Sequence, residues 1–199
     1  KTASLSLAAT LLLAACGGTE TPTQDPENST TESSATSSME SSPTTESTDS
    51  KNFEGKSFSV TYEQAVTDFQ EAYPDAAISS IDFDKDLGKY SFEINGFDDT
   101  QEIEWEVNAE NGEETKNKTE KKESDFDDQE LMIDDLMAID ELITKSEEEA
   151  PNASLVSWNL EVDEDTKTPL FTGEFEEGNN DVDVHLNAET GEFLSVEND

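Results

Sequence analysis

The chain has no arginine, one cysteine and one histidine, and only 11 lysines among 199 residues. A single cysteine excludes an internal disulfide and any multi-cysteine metal centre, and a single histidine excludes a multi-histidine metal site. Scarce cations argue against nucleic-acid phosphates, which need clustered positive charge, and against adsorption to an anionic bilayer. No apolar run reaches the roughly 20 residues a membrane-spanning helix requires. What the chain has instead is acid: 50 Asp and Glu, a net charge of -39 and a pI near 4.1. The partners that fit this balance are cations, cationic peptides or basic protein surfaces. The hydrophobic fraction, 32%, is low for one globular body, so part of the chain is expected to be disordered.

Composition divides the chain. Residues 1–15 hold a short apolar stretch behind Lys1, ending in Leu13-Ala14-Ala15 before Cys16. A basic front, a short apolar middle and small residues at the end read as a secretory signal. The four residues Leu13 to Cys16 resemble the lipobox of bacterial lipoprotein precursors. The resemblance implies cleavage before Cys16 and lipid on its thiol, and thus an anchor in the bacterial cell membrane with the rest of the chain facing outward. Two or three acyl chains, at about 0.8 kcal/mol per buried methylene, would hold it there. Residues 16–52 are Ser, Thr, Glu and Pro with almost nothing apolar, as a disordered tether would be.

Beyond the tether the sequence repeats itself. Glu102-Ile-Glu-Trp-Glu-Val-Asn-Ala-Glu-Asn-Gly-Glu113 returns as Asp181-Val-Asp-Val-His-Leu-Asn-Ala-Glu-Thr-Gly-Glu192. Before the first copy, Tyr62, Ala65, Val66, Phe69 and Tyr73 make one apolar helical stripe. Thr61 and Gln64 fit a capping box, and Pro74 stops the helix. Strands are expected around Ile81 and Phe83, around Tyr90, Phe92 and Ile94, and around Ile103, Trp105 and Val107. Their turns fall at residues 86–88 and 97–100. In the second copy Met132, Leu136, Ile139 and Ile143 predict a helix ended by Pro151. Val156, Trp158, Leu160 and Val162 follow, then Phe171 and Phe175, then Val182, Val184 and Leu186. Leu194 and Val196 make a last short strand, whose counterpart near Thr115 and Asn117 is expected to be missing or frayed. The fold class is therefore α+β: two tandem repeats, 56–116 and 128–199, joined by a charged connector at 117–127. Each repeat is one helix on a three- to four-stranded antiparallel sheet covered on one side. Whether the repeats pack together is left open.

A helix ending in Pro, a strand, a hairpin and a closing Val-x-Val-x-Leu-Asn-Ala-x-Thr-Gly-Glu resemble the PepSY domain, and Leu186 to Glu192 carry the resemblance best. The first copy departs from it at Asn111, where Thr190 stands in the second, and in its polar ending. The resemblance implies a binding module outside the membrane, in some members a restraint on peptidases, with no catalytic residues and no cofactor.

The candidate sites read modestly. His185 points to the polar side of its strand. Asp82, Asp84 and Asp86 with Glu93 imitate the spacing of a calcium loop, but the glycine comes one place late and the stretch reads as strand and hairpin. Trp105 and Trp158 lie on apolar sides and read as core. Paired carboxylates can hydrolyse glycosides, but only in a cleft that raises one pKa. No enzyme is expected. The open face would gather Asp82, Asp84, Ser91, Glu93, Glu102, Glu104 and Glu106, and in the second copy Asn159, Glu161, Glu174, Glu176, Asp181 and Asp183, with lysine nearly absent. The reading is a lipid-anchored extracytoplasmic module that binds a protein or peptide, or restrains a peptidase. The alternative is an acidic surface protein that binds calcium-like cations.

Overall fold

The computed structural model describes residues 52–123, 126 and 129–198. All of these lie within residues 45–199. The expected signal, Cys16 and nearly all of the expected tether fall outside them.

The first helix, α1 (Tyr62–Ala72), forms where the apolar stripe places it. The Thr61 hydroxyl accepts from the Gln64 amide at 3.3 Å, half of the expected box. The Gln64 side chain turns forward instead and donates to Asp68 at 2.7 Å. Ala65, Val66 and Phe69 are buried, and Tyr73 caps the end with its amide on the Phe69 carbonyl. Strands β1 (Ala77–Asp86), β2 (Lys89–Phe97), β3 (Gln101–Asn108) and β4 (Glu114–Lys121) complete the first repeat. Helix α2 (Ile139–Glu149) and strands β5 (Ser154–Val162), β6 (Pro169–Glu177), β7 (Asn180–Asn187) and β8 (Phe193–Asn198) make the second.

The two repeats share one antiparallel sheet of eight strands, ordered β4-β3-β2-β1-β5-β6-β7-β8. β1 and β5, the same strand in each copy, pair with each other, Ile81 opposite Leu160 and Phe83 opposite Trp158. The local pseudo-twofold axis passes through the pair Asp82 and Asn159. One apolar face supports both helices. Aromatic rings fill its centre, with Phe83 stacked on Trp158 at 5.8 Å and Trp158 on Phe171 at 6.2 Å. Tyr62 of α1 meets Trp158 of the other repeat edge-on at 6.0 Å, and burial pushes its hydroxyl up to about 12. Both tryptophans belong to the core.

Four expectations need correction. The segment expected as a frayed end and a connector from 117 is strand β4 through Lys121. As an edge strand it can be polar on both sides, and it is, so apolar alternation could not reveal it. The second helix does not begin near Met132. Residues 133–135 form a 3-10 turn, Met132 is exposed, and Leu131 is buried in its place. α2 starts at Ile139, and its buried positions are Ile139, Leu142 and Ser146. In β5 the core residue is Leu155 rather than Val156, because a bulge between Leu155 and Ser157 shifts the alternation by one. β1 carries the same bulge between Ile78 and Ser80. Finally, the body begins before residue 56. A 3-10 turn spans Asn52–Gly55, and Phe53 and Phe58 each meet both Phe83 and Tyr90, 5.0–5.8 Å between ring centres.

The repeated Asn-Ala-Glu-x-Gly-Glu has a structural job. Asn108 Oδ1 accepts the amides of Glu110 and Asn111, and Asn187 Oδ1 those of Glu189 and Thr190, so each Asn folds its own turn. Gly112 and Gly191 close the turns at φ +73 and +65. The alanines between are fully buried. The Ala109 carbonyl accepts from Ser59 and Val60, and the Ala188 carbonyl from Met137. The turn thus pins the entry of the helix in its own repeat.

Candidate binding surface

The sheet face opposite the helices is lined by the polar half of every strand. Two pairs mark the repeat: Asn95 donates to Ser80 Oγ at 3.2 Å, and at the equivalent place Ser157 bonds Glu174. At the pseudo-axis Asn159 Nδ2 donates to Asp82 Oδ1 at 2.7 Å. Thr172 Oγ1 lies 3.0 Å from His185 Nδ1 on the next strands. His185 is therefore half-buried and hydrogen-bonded, on the face the alternation assigns it.

Charge on this face is zoned. β4 brings Lys116 to Glu93 (3.2 Å) and to Glu104, and Lys118 to Glu104 (3.9 Å) and Glu120 (3.1 Å). The expectation that lysine is nearly absent is thus wrong at this end, since Lys116 comes from the end expected to be missing or frayed and Lys118 from the segment taken for a connector. Toward the centre and the second repeat stand Asp82, Asp84, Glu161 and Glu174, and no salt bridge reaches them among the described residues. Beside the lysines, a shallow hollow of about 370 Å³ is lined by Asn95, Glu102, Glu104, Lys118, Glu120 and Phe126.

The unneutralised zone is electrostatically costly. Burial pushes the Asp82 carboxyl up to about 6, against the bond from Asn159, with Glu93, Asp84 and Glu161 adding repulsion. Burial first, then neighbouring carboxylates, also raises Asp84 and Glu161. A carboxyl whose folded pKa exceeds its unfolded value near 3.9 binds its proton more tightly when folded. The stability this gives is full below about pH 4 and lost as pH rises through about 6. The melting temperature should therefore rise between pH 7 and pH 5. The full Asp82 shift corresponds to about 3 kcal/mol; with the group partly solvated, about 1–2 kcal/mol is expected. Asp82→Asn keeps the bond from Asn159, and should stabilise the protein at pH 7 and flatten the pH profile. A variant with the wild-type profile would contradict this account.

The calcium-like spacing does not survive folding. Asp82 and Glu93 lie directly opposite on β1 and β2, not around a loop. Among the described residues no group of three or more His, Cys, Asp or Glu is placed to hold a metal ion. Nor is any helix among them long and apolar enough to cross a membrane.

The helix-and-hairpin unit, its closing turn and its duplication have counterparts among known proteins. The family model described as "Peptidase propeptide and YPEB domain", PepSY, matches twice, over residues 59–118 and 137–197. The chain belongs to the PepSY family. Its two PepSY domains are the two halves of the eight-stranded sheet. The chain is also similar to a solved structure, a "putative lipoprotein" from Clostridium difficile 630, with 25% identity and a TM-score of 0.67. That likeness covers 74% of this chain and 99% of the other. No curated protein matches. In both PepSY domains the closing turn holds the entry of the helix.

Proposed function

We propose that this PepSY protein is an extracytoplasmic lipoprotein, anchored to the cell membrane through Cys16, that binds a cationic peptide or basic protein segment on its open face. The observation that supports the binding is the zone around Asp82, Asp84, Glu161 and Glu174, where one half-buried and three exposed carboxylates crowd with no salt bridge among the described residues. A surface kept only for solubility would mix in lysine, as this protein does beside β4. A basic partner would relieve the repulsion, and the field would speed its encounter. The family description mentions peptidase propeptides, and restraint of a peptidase is one form such binding would take. The likeness to a lipoprotein supports the anchor, as does the sequence Leu13 to Cys16.

Two measurements test the proposal. Cys16→Ala should release the protein to the medium or leave it unprocessed, and normal processing with membrane retention would refute the anchor. Binding of a labelled oligolysine should weaken with NaCl, which screens charge over about 8 Å at physiological strength. It should fall about tenfold in the variant Asp84→Asn/Glu161→Gln/Glu174→Gln, a loss of roughly 1.4 kcal/mol. Equal binding by that variant at all salt concentrations would exclude this zone.

A further inference from the structure

The two ends of the sheet are the same strand in two copies, and they have opposite characters. β4 runs Glu114-Thr-Lys-Asn-Lys-Thr-Glu-Lys121, charged along its length. In the register, Phe193 stands where Glu114 does, Ser195 where Lys116 does, Val196 where Asn117 does, and Glu197 where Lys118 does. Both lysines are gone from β8 and apolar groups have come in. Phe193, Leu194 and Val196 are 44%, 49% and 43% exposed. A charged edge such as β4 resists pairing with other chains, whereas an exposed apolar edge invites it.

β8 also has two distinct sides. Val196 and Phe193 pair with Val184 and Leu186 on the helix side, while Ser195 and Glu197 pair with His185 and Asp183 on the open side. A strand added beyond β8 would thus meet apolar groups on one side and acid on the other. We propose that β8 receives an extended peptide alternating basic and apolar residues, added as a ninth strand. Main-chain hydrogen bonds hold it, its apolar residues cover Phe193 and Val196, and its basic residues turn to the open side, beside Glu197. This rests on the reading above that the protein binds basic peptides, and adds a second place for one, at the edge of the sheet. A second copy of the chain is a poorer occupant, because it brings a second net charge of -39.

The test titrates the full chain with two labelled, capped peptides of equal length, one alternating lysine and valine, the other oligolysine. The alternating peptide should bind at least tenfold more tightly and slow amide exchange across residues 193–198. Val196→Lys, or Leu194→Lys if the first variant loses its melting transition, should remove that advantage and leave oligolysine binding intact. Thr119→Lys on β4 should change neither. Equal affinities for the two peptides in the wild type, or an advantage that survives the β8 variants, would overturn the strand-addition proposal and leave binding on the open face standing. Absence of binding to both peptides would overturn both. Concentration-dependent dimers that Val196→Lys abolishes would assign β8 to a second copy and overturn the peptide as its occupant.

Discussion

Replacing Phe69 by serine should destabilise the protein by about 3–5 kcal/mol, and Gly96→Phe should cost less in that variant than in the wild type. Phe69 lies fully buried on α1 over Gly96 of β2. A Cβ on Gly96 would come within 2.7 Å of the Phe69 ring and 2.5 Å of the Ala77 carbonyl oxygen. The second repeat solves the same contact the other way round. Register places Phe175 where Gly96 stands, each opposite the core residue before the bulge, Leu155 and Ile78. The helix residue in the place of Phe69 is Ser146, buried, with its hydroxyl on the Ile143 carbonyl at 2.8 Å. One large ring fills each site, from the helix in one copy and from the strand in the other. Gly96→Phe alone overpacks the site and should cost about 1–3 kcal/mol or more. The double variant should be more stable than the sum of the single losses by about 1 kcal/mol or more. Chemical denaturation of the four proteins measures this directly. Strict additivity would show that the two contacts are not alternative fillings of one space.

A chain beginning at Ser59, the first residue of the family match, should be less stable than one beginning at Asn52 by about 2–4 kcal/mol, the worth of two partly buried phenylalanines. Phe53 and Phe58 pack edge-on against Phe83 and Tyr90, near the seam between the repeats. Asn52 Oδ1 accepts the Leu155 amide at 3.0 Å, and Asn52 Nδ2 bonds Glu147, so the segment reaches β5 and α2 of the second domain. Phe53 and Glu54 both hold positive φ, 48 and 56, a cost that non-glycine residues bear only when packing enforces it. At about 2–4 °C per kcal/mol for a domain of this size, the melting temperature should fall by roughly 4–16 °C. Equal melting temperatures would mean that the aromatic contacts of residues 52–58 add no stability. The same comparison shows whether both PepSY domains lose stability together, as their shared sheet requires.

Much of this architecture is legible wherever one side of an element is dry. Ile81 and Phe83, Tyr90, Phe92 and Ile94, Ile103, Trp105 and Val107, and Val182, Val184 and Leu186 all alternate because a helix covers one face, and all are buried. β4 escapes that logic, since an edge strand with solvent on both sides needs no apolar residue. The bulges escape it too: one extra residue reverses inside and outside, and Val156 and Leu155 are equally apolar. The start expected for α2 is too early as a matter of phase, because Met132 and Leu136 keep a helical spacing while lying in a turn and a loop. The candidate surface is legible in its acids and misjudged in its cations, for the reason that hides β4. Phe53 and Phe58 carry no periodic signal at all. Two aromatic residues at the end of a polar tether are the available hint.

The pairing of β1 with β5 has a consequence for assembly. A single repeat would expose β1 as an edge, and two copies joined through it would rebuild this sheet as a symmetric dimer. On the axis of such a dimer a residue faces itself: Asp82 would oppose another Asp82, or Asn159 another Asn159. Only when both copies belong to one chain can Asp and Asn stand across the axis and share a hydrogen bond. The same freedom lets Phe69 and Gly96 diverge from Ser146 and Phe175, and lets one outer strand be charged while the other is apolar. Covalent duplication has kept the symmetry of the backbone and released the side chains from it, so that a sheet with two like halves has one charged end and one apolar end.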